Sequence, residues 1–80
     1  MIWHAAIQDD ELRVAIRQGK VNFGGNRKLK IYGKLSCTSG KRMKRENRVF
    51  FVSIGEAIEA GYRPCGHCMR EEYLKWMAKN

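Results

Sequence analysis

Arg63-Pro64-Cys65-Gly66-His67-Cys68 holds two of the chain's three cysteines, its only proline and one of its two histidines. A Cys-x-x-Cys pair presents two sulfurs from one turn of backbone, a spacing that suits a single tetrahedral metal ion or thiol–disulfide exchange. The flanking residues set the pair in its frame. Tyr62-Arg63-Pro64 reads as extended, because proline biases the residue before it away from helix. Upstream, Ser53-Ile54-Gly55-Glu56 matches a capping box, with Ser53 as N-cap and Glu56 reaching back. Ala57, Ile58 and Ala60 continue that short helix and Gly61 ends it. Downstream, an amphipathic helix is expected from Cys68 or Met69 to Ala78, with Met69, Tyr73, Trp76 and Met77 as an apolar stripe that reads as core. The positive end of that helix is expected to lower the pKa of the nearby sulfurs.

Further upstream, Val49-Phe50-Phe51-Val52 is a continuous apolar run and reads as a central strand. Val21 to Phe23 and Leu29 to Tyr32 read as two shorter strands, with Gly24-Gly25-Asn26 as the turn between them. In the second, Leu29 and Ile31 would face the core, and Lys30 and Tyr32 the solvent. Asp9 to Gln18 reads as a helix, capped by Asp9 or Asp10 and stopped by Gly19. Its Leu12, Ala15 and Ile16 share one face that should pack onto the rest of the domain. Gly33 to Arg48 shows no periodicity and reads as a cationic loop. Its Gly40-Lys41 pair lacks the upstream glycine and the following Ser or Thr of a phosphate-binding loop. These elements give an α+β domain with a small, mostly antiparallel three-stranded sheet and flanking helices. Residues 1–80 read as a single domain, with an added N-terminal helix at about 9–18.

Hydrophobic residues make up 44% of the 80, which excludes a disordered chain. No apolar run approaches the roughly 20 residues that span a membrane, so no membrane partner is expected. The formal net charge is +8, and ten of the basic residues fall between Lys20 and Arg48 beside a single acid, Glu46. Charge concentrated in this way points to a polyanion, and DNA is the expected partner of a monomeric protein. Lys34, Lys41, Arg42, Lys44, Arg45 and Arg48 are the candidate phosphate contacts.

Three cysteines cannot close a disulfide framework, so a reducing, cytoplasmic location with thiolates or a metal is expected. If Cys37 meets the Cys65/Cys68 pair, the pattern is C-x27-C-x2-C, a zinc-like set with one ligand missing. That meeting is expected if the strand at Leu29 to Tyr32 lies beside Val49 to Val52. His67 sits inside the knuckle and should point away from a metal held by its neighbours. His4 would reach the site only if the N-terminal segment folds back, and a water or an open position is the alternative. A thioredoxin-type redox role for Cys65 and Cys68 competes with the metal reading. Against it, the motif follows a helix and a proline rather than a central strand, and no second proline is available to face the site.

At this point the residues resemble a known family, the metal-binding N-terminal domain of the bacterial Ada DNA-repair protein. The resemblance rests on Ile31-Tyr32-Gly33-Lys34-Leu35-Ser36-Cys37, on Glu56-Ala57, and on Ala60-Gly61-Tyr62-Arg63-Pro64-Cys65-Gly66-His67-Cys68, with Val49-Phe50-Phe51 where the family has its aromatic strand. It implies an Ada zinc-domain-like fold, zinc as cofactor, and DNA repair or transcription regulation as the setting. In that family four cysteines bind zinc, and the first of them takes a methyl group from a DNA methylphosphotriester. Here three ligands map to Cys37, Cys65 and Cys68, and the acceptor position maps to Gly33, which has no nucleophile. The expectation is therefore a zinc-binding, DNA-binding domain without methyl transfer, with Arg63 as a further phosphate contact. Methyl acceptance by Cys37 instead is the enzymatic alternative.

Overall fold

The computed structural model describes residues 1–37 and 43–79. Among these the chain forms, in order, β1 (Ile2–Trp3), α1 (Asp9–Arg17), β2 (Phe23–Asn26), β3 (Ile31–Lys34), β4 (Arg48–Phe51), α2 (Ile54–Glu59), β5 (Arg63–Pro64) and α3 (Arg70–Lys79). The fold is α+β, as expected, but the sheet has five strands in the order β1-β4-β2-β3-β5. The expected three antiparallel strands are its centre, β4-β2-β3. The two-residue β1 adds antiparallel to β4, and the two-residue β5 adds parallel to β3. Strands this short carry no alternation for a period-two reading to detect. The central strand is β2, while β4 lies between β2 and β1.

The expected turn at Gly24-Gly25-Asn26 is strand instead. Gly25 lies under the core: a Cβ there would sit 3.0 Å from the Phe51 ring, 3.1 Å from the Ile31 carbonyl oxygen and 3.3 Å from the Tyr62 ring. Glycine is what lets those rings close on the sheet. The turn falls at residues 27–30 instead, where the Asn26 side-chain oxygen accepts from the amides of Lys28 (2.9 Å) and Leu29 (3.2 Å). Lys30 completes it in the left-handed region at φ 57°. The expected facing of the next strand is also reversed. Leu29 is in the turn and 64% exposed, whereas Tyr32 is fully buried.

The main core joins Tyr32, Val49, Phe51, Ala57, Tyr62 and Met69, with Cys65 and Cys68 packed against it. Phe51 and Tyr62 meet edge to face at 4.9 Å between ring centres. Ser53 caps α2 as expected, its Oγ accepting from the Glu56 amide at 3.2 Å. The Glu56 carboxylate does not reach back, however; it pairs with the N-terminal ammonium at 3.0 Å. Gly61, at φ 87°, stops the helix, with the Tyr62 amide donating to the Ala57 carbonyl. In α1 the cap is Gln8 without a side-chain bond, and the three acids fill the first turn instead. No α1 residue is buried, and Val14 and Ile16 are exposed, so this helix docks more shallowly than its pattern suggests. In α3 only the preceding Met69 is buried; Trp76 and Met77 of the expected stripe are exposed. No helix among the described residues is long and apolar enough to cross a membrane.

Candidate metal centre

Strand β3 is the common anchor of the three cysteines. The Cys65 amide donates to the Tyr32 carbonyl at 2.7 Å, and the Arg63 amide to the Lys30 carbonyl at 2.8 Å. Pro64, between them, has no N–H to place, so an outer edge strand suits it. At the other end of β3, the Cys37 amide donates to the Lys34 carbonyl at 3.0 Å and turns the chain back. The Lys34 amide in turn donates to Cys68 Sγ at 3.3 Å. The three sulfurs consequently lie within 4.8 Å of one another, and none is in a disulfide. Cys37 thus meets the pair as anticipated, but not because β3 borders β4: β2 lies between them, and the pairing of β5 with β3 makes the contact.

The donor chemistry fits a soft divalent cation. Sulfurs bound to one tetrahedral zinc sit roughly 3.8 Å apart, given bonds of about 2.3 Å. Burial pushes the Cys68 thiol up to about 11; the Lys34 amide opposes the rise, and the Cys37 and Cys65 thiols add to it. The expected lowering is not seen at Cys68, whose thiol is raised instead; α3 begins at Arg70, two residues further on. A cation among the three sulfurs supplies the positive charge that burial withholds from their thiolates.

Position 33 faces the same cluster. A Cβ on Gly33 would lie 2.6 Å from Cys68 Sγ and 3.2 Å from Cys65 Cβ. Among the described residues no His, Asp, Glu or fourth Cys joins the three sulfurs. His67 is exposed, and His4 packs on the Phe50 ring at 5.2 Å, beside Asp9. Gly33 also pairs with Gly24 across the β2–β3 ladder. Paired strand positions share a face of the sheet, so two neighbouring side chains are missing there. A cleft of about 210 Å³ opens over these glycines; Ile31, Met43 and Arg48 line it, and it reaches Cys37 and Cys65. Sequence reasoning assigned no role to Gly24 or Met43. The usable signal was a glycine pair inside a strand, which marks a close backbone approach.

The candidate cations divide by their partners. Lys34 and Lys44 are exposed. Arg48 is half-buried over the Phe50 ring at 5.1 Å, and burial lowers its pKa. Arg63 lies over Tyr73 (5.4 Å) and Trp76 (5.7 Å) and donates to its neighbour's carbonyl at Pro64. Arg45 is a clasp rather than an open cation: it donates to Asp9 (2.8 Å), to the Ile7 carbonyl (2.6 Å) and to the His4 carbonyl (3.2 Å). Lys41 and Arg42 fall outside the described residues.

The family profile described as the metal binding domain of Ada matches residues 3–71. Among solved structures, the DNA methyl phosphotriester repair domain of E. coli Ada is similar, with a TM-score of 0.58 and 26% identity. The alignment covers 84% of this chain and 77% of that one. No curated protein matches the chain.

Proposed function

The chain belongs to the Ada metal-binding domain family, and from that premise we propose that it is a zinc-thiolate domain that binds DNA without accepting a methyl group. Zinc is the cofactor of the family's cluster, and Cys37, Cys65 and Cys68 are the residues that would hold it here. The observation that carries the proposal is Gly33: it faces the cluster where the resemblance places the methyl acceptor, and it brings no thiol. Through Cys37, Cys65 and Cys68 a bound zinc would tie β5 and the Cys65–Cys68 knuckle to the end of β3. Lys34, Lys44, Arg48 and Arg63 supply phosphate contacts, joined by Lys41 and Arg42. Arg45 is left out, because its guanidinium holds the N-terminal segment. Phosphate contacts position a protein on a duplex without reading its sequence. Cysteines that stay out of disulfides around a metal suit a reducing, cytoplasmic setting.

The test combines three measurements. Native mass spectrometry with and without chelator is expected to find one zinc per chain, removed together with the folded charge-state distribution. Anisotropy titrations of labelled duplex at two salt concentrations are expected to give affinity that falls steeply with salt. Binding that is absent, or indifferent to salt, would sink the DNA reading. After incubation with methylphosphotriester-containing DNA, the protein's mass is expected to be unchanged. Because Cys37 lines the cleft beside Gly33, a methyl adduct on Cys37 would replace this reading with the enzymatic one.

A further inference from the structure

The cleft over Gly24 and Gly33 does more than mark a missing residue. Its apolar lining comes from Leu29, Ile31 and Met43, while Lys34 and Arg48 bring positive charge. No acid lines it. At about 210 Å³ it is smaller than the roughly 300–1,000 Å³ typical of drug-sized ligand sites, so it suits a molecule of few heavy atoms. It reaches Cys37, Cys65 and Gly33, and among the described residues no fourth His, Cys, Asp or Glu joins the cluster there.

We propose that the fourth position of the metal centre is filled from this cleft by an exchangeable small thiol, bound as its thiolate. The inference rests on the metal reading above and names the ligand class of that same site. Three thiolates and a divalent metal prefer a soft fourth donor, and sulfur is the softest common one. The short apolar body of the thiol lies against Ile31 and Met43. A second anionic group on it, such as a carboxylate, faces Arg48. The half-buried Arg48 guanidinium has no ion-pair partner among the described residues' salt bridges, and an anion in the cleft would offset its burial. On binding as a thiolate, the thiol would release its proton to water, and no oxidant or reductant would be consumed.

The same sheet that seats Cys65 also shapes the cleft. A Cβ on Gly24 would meet nothing closer than 3.8 Å, with Arg48 Nε and Leu35 Cδ2 among its neighbours. Gly24→Leu therefore adds bulk to the cleft, and none of the atoms nearest its Cβ is a sulfur. Met43→Trp narrows it from the half-exposed rim and serves if the first variant does not fold.

The experiment loads the full chain with Co²⁺ and titrates it with 3-mercaptopropionate, following sulfur-to-cobalt charge-transfer absorption. The expected result is a saturable rise of roughly one third, for four sulfurs in place of three. Propionate alone should produce none of it. Gly24→Leu or Met43→Trp should bind Co²⁺ as before but weaken the thiol response by roughly tenfold or more. An unchanged spectrum on adding thiol, a four-sulfur spectrum before any is added, an equal response to propionate, or an undiminished response in both variants would each overturn the proposal. Failure to bind Co²⁺ at all would overturn the metal reading and this one with it, and is distinguishable because no charge-transfer band appears at any stage.

Discussion

Gly24 and Gly25 are neighbours in β2, yet they face opposite sides of the sheet and have opposite surroundings. On the Gly25 side, Phe51 and Tyr62 close so tightly that no side chain fits. On the Gly24 side there is room to spare, and the cleft runs from it to the sulfurs. The two sides are also held differently. The first is sealed by buried apolar rings. The second is covered by Phe50 and by the N-terminal segment, where His4 packs on Phe50 and Arg45 clasps the backbone of His4 and Ile7. One face thus supplies stability through packing. The other has a polar clasp at one end and an opening at the other, and the opening leads to Cys37 and Cys65.

Substitutions that act on one face only should separate these roles. Phe51→Ala, deep in the packed face, should cost about 3–5 kcal/mol in a urea unfolding experiment. Gly25→Ala should cost about 1–3 kcal/mol, since the Ile31 carbonyl and two core rings must yield to a methyl group. Arg45→Ala, on the clasped side, should cost about 1 kcal/mol, because three hydrogen bonds are lost from a half-exposed side chain; faster amide exchange confined to residues 2–9 would identify the cause. Gly24→Ala should leave stability within about 0.5 kcal/mol, and a loss as large as that of Gly25→Ala would erase the distinction between the faces.

The smallest effect concerns acid. Burial and the guanidiniums of Arg45 and Arg48 lower the pKa of His4, while Asp9, 3.8 Å away, only partly opposes them. A lowered folded-state pKa means that the unfolded chain takes up the proton first as pH falls. The contribution of neutral His4 is therefore complete above the ordinary value of about 6.5, declines as pH drops below it, and levels off beneath the lowered pKa. Unfolding midpoints at pH 7.5 and pH 5 should fall less with acid in His4→Gln than in the parent chain.

Much of the site was legible in the sequence because its signals are local. Cys65-Gly66-His67-Cys68 needs only one turn of backbone, and Ser53 with Gly61 brackets α2 by short-range bonds. The meeting with Cys37 was legible as a possibility, but its cause was not. It depends on two residues, Arg63 and Pro64, pairing in parallel with β3, and a pairing that short leaves no periodic trace. Gly24-Gly25 was misread for a different reason. Turn propensity is a property of the residue, whereas the need for glycine under Phe51 and Tyr62 arises from rings 26 and 37 residues away in the chain. The facing of Tyr32 was misread because alternation shows that a strand has two faces but not which one is buried, and the Tyr32 ring joins Phe51 and Tyr62 in the core.

The two outermost strands, β1 and β5, have a further consequence. Each is two residues long, and β5 ends in Pro64, whose nitrogen has no hydrogen to offer. A sheet edge recruits other chains through a long row of unpaired amides and carbonyls. Here neither border presents one, although the interior strands are apolar enough to aggregate if exposed. The short strand that seats the metal-binding pair at the rim of the domain also guards that rim against runaway association.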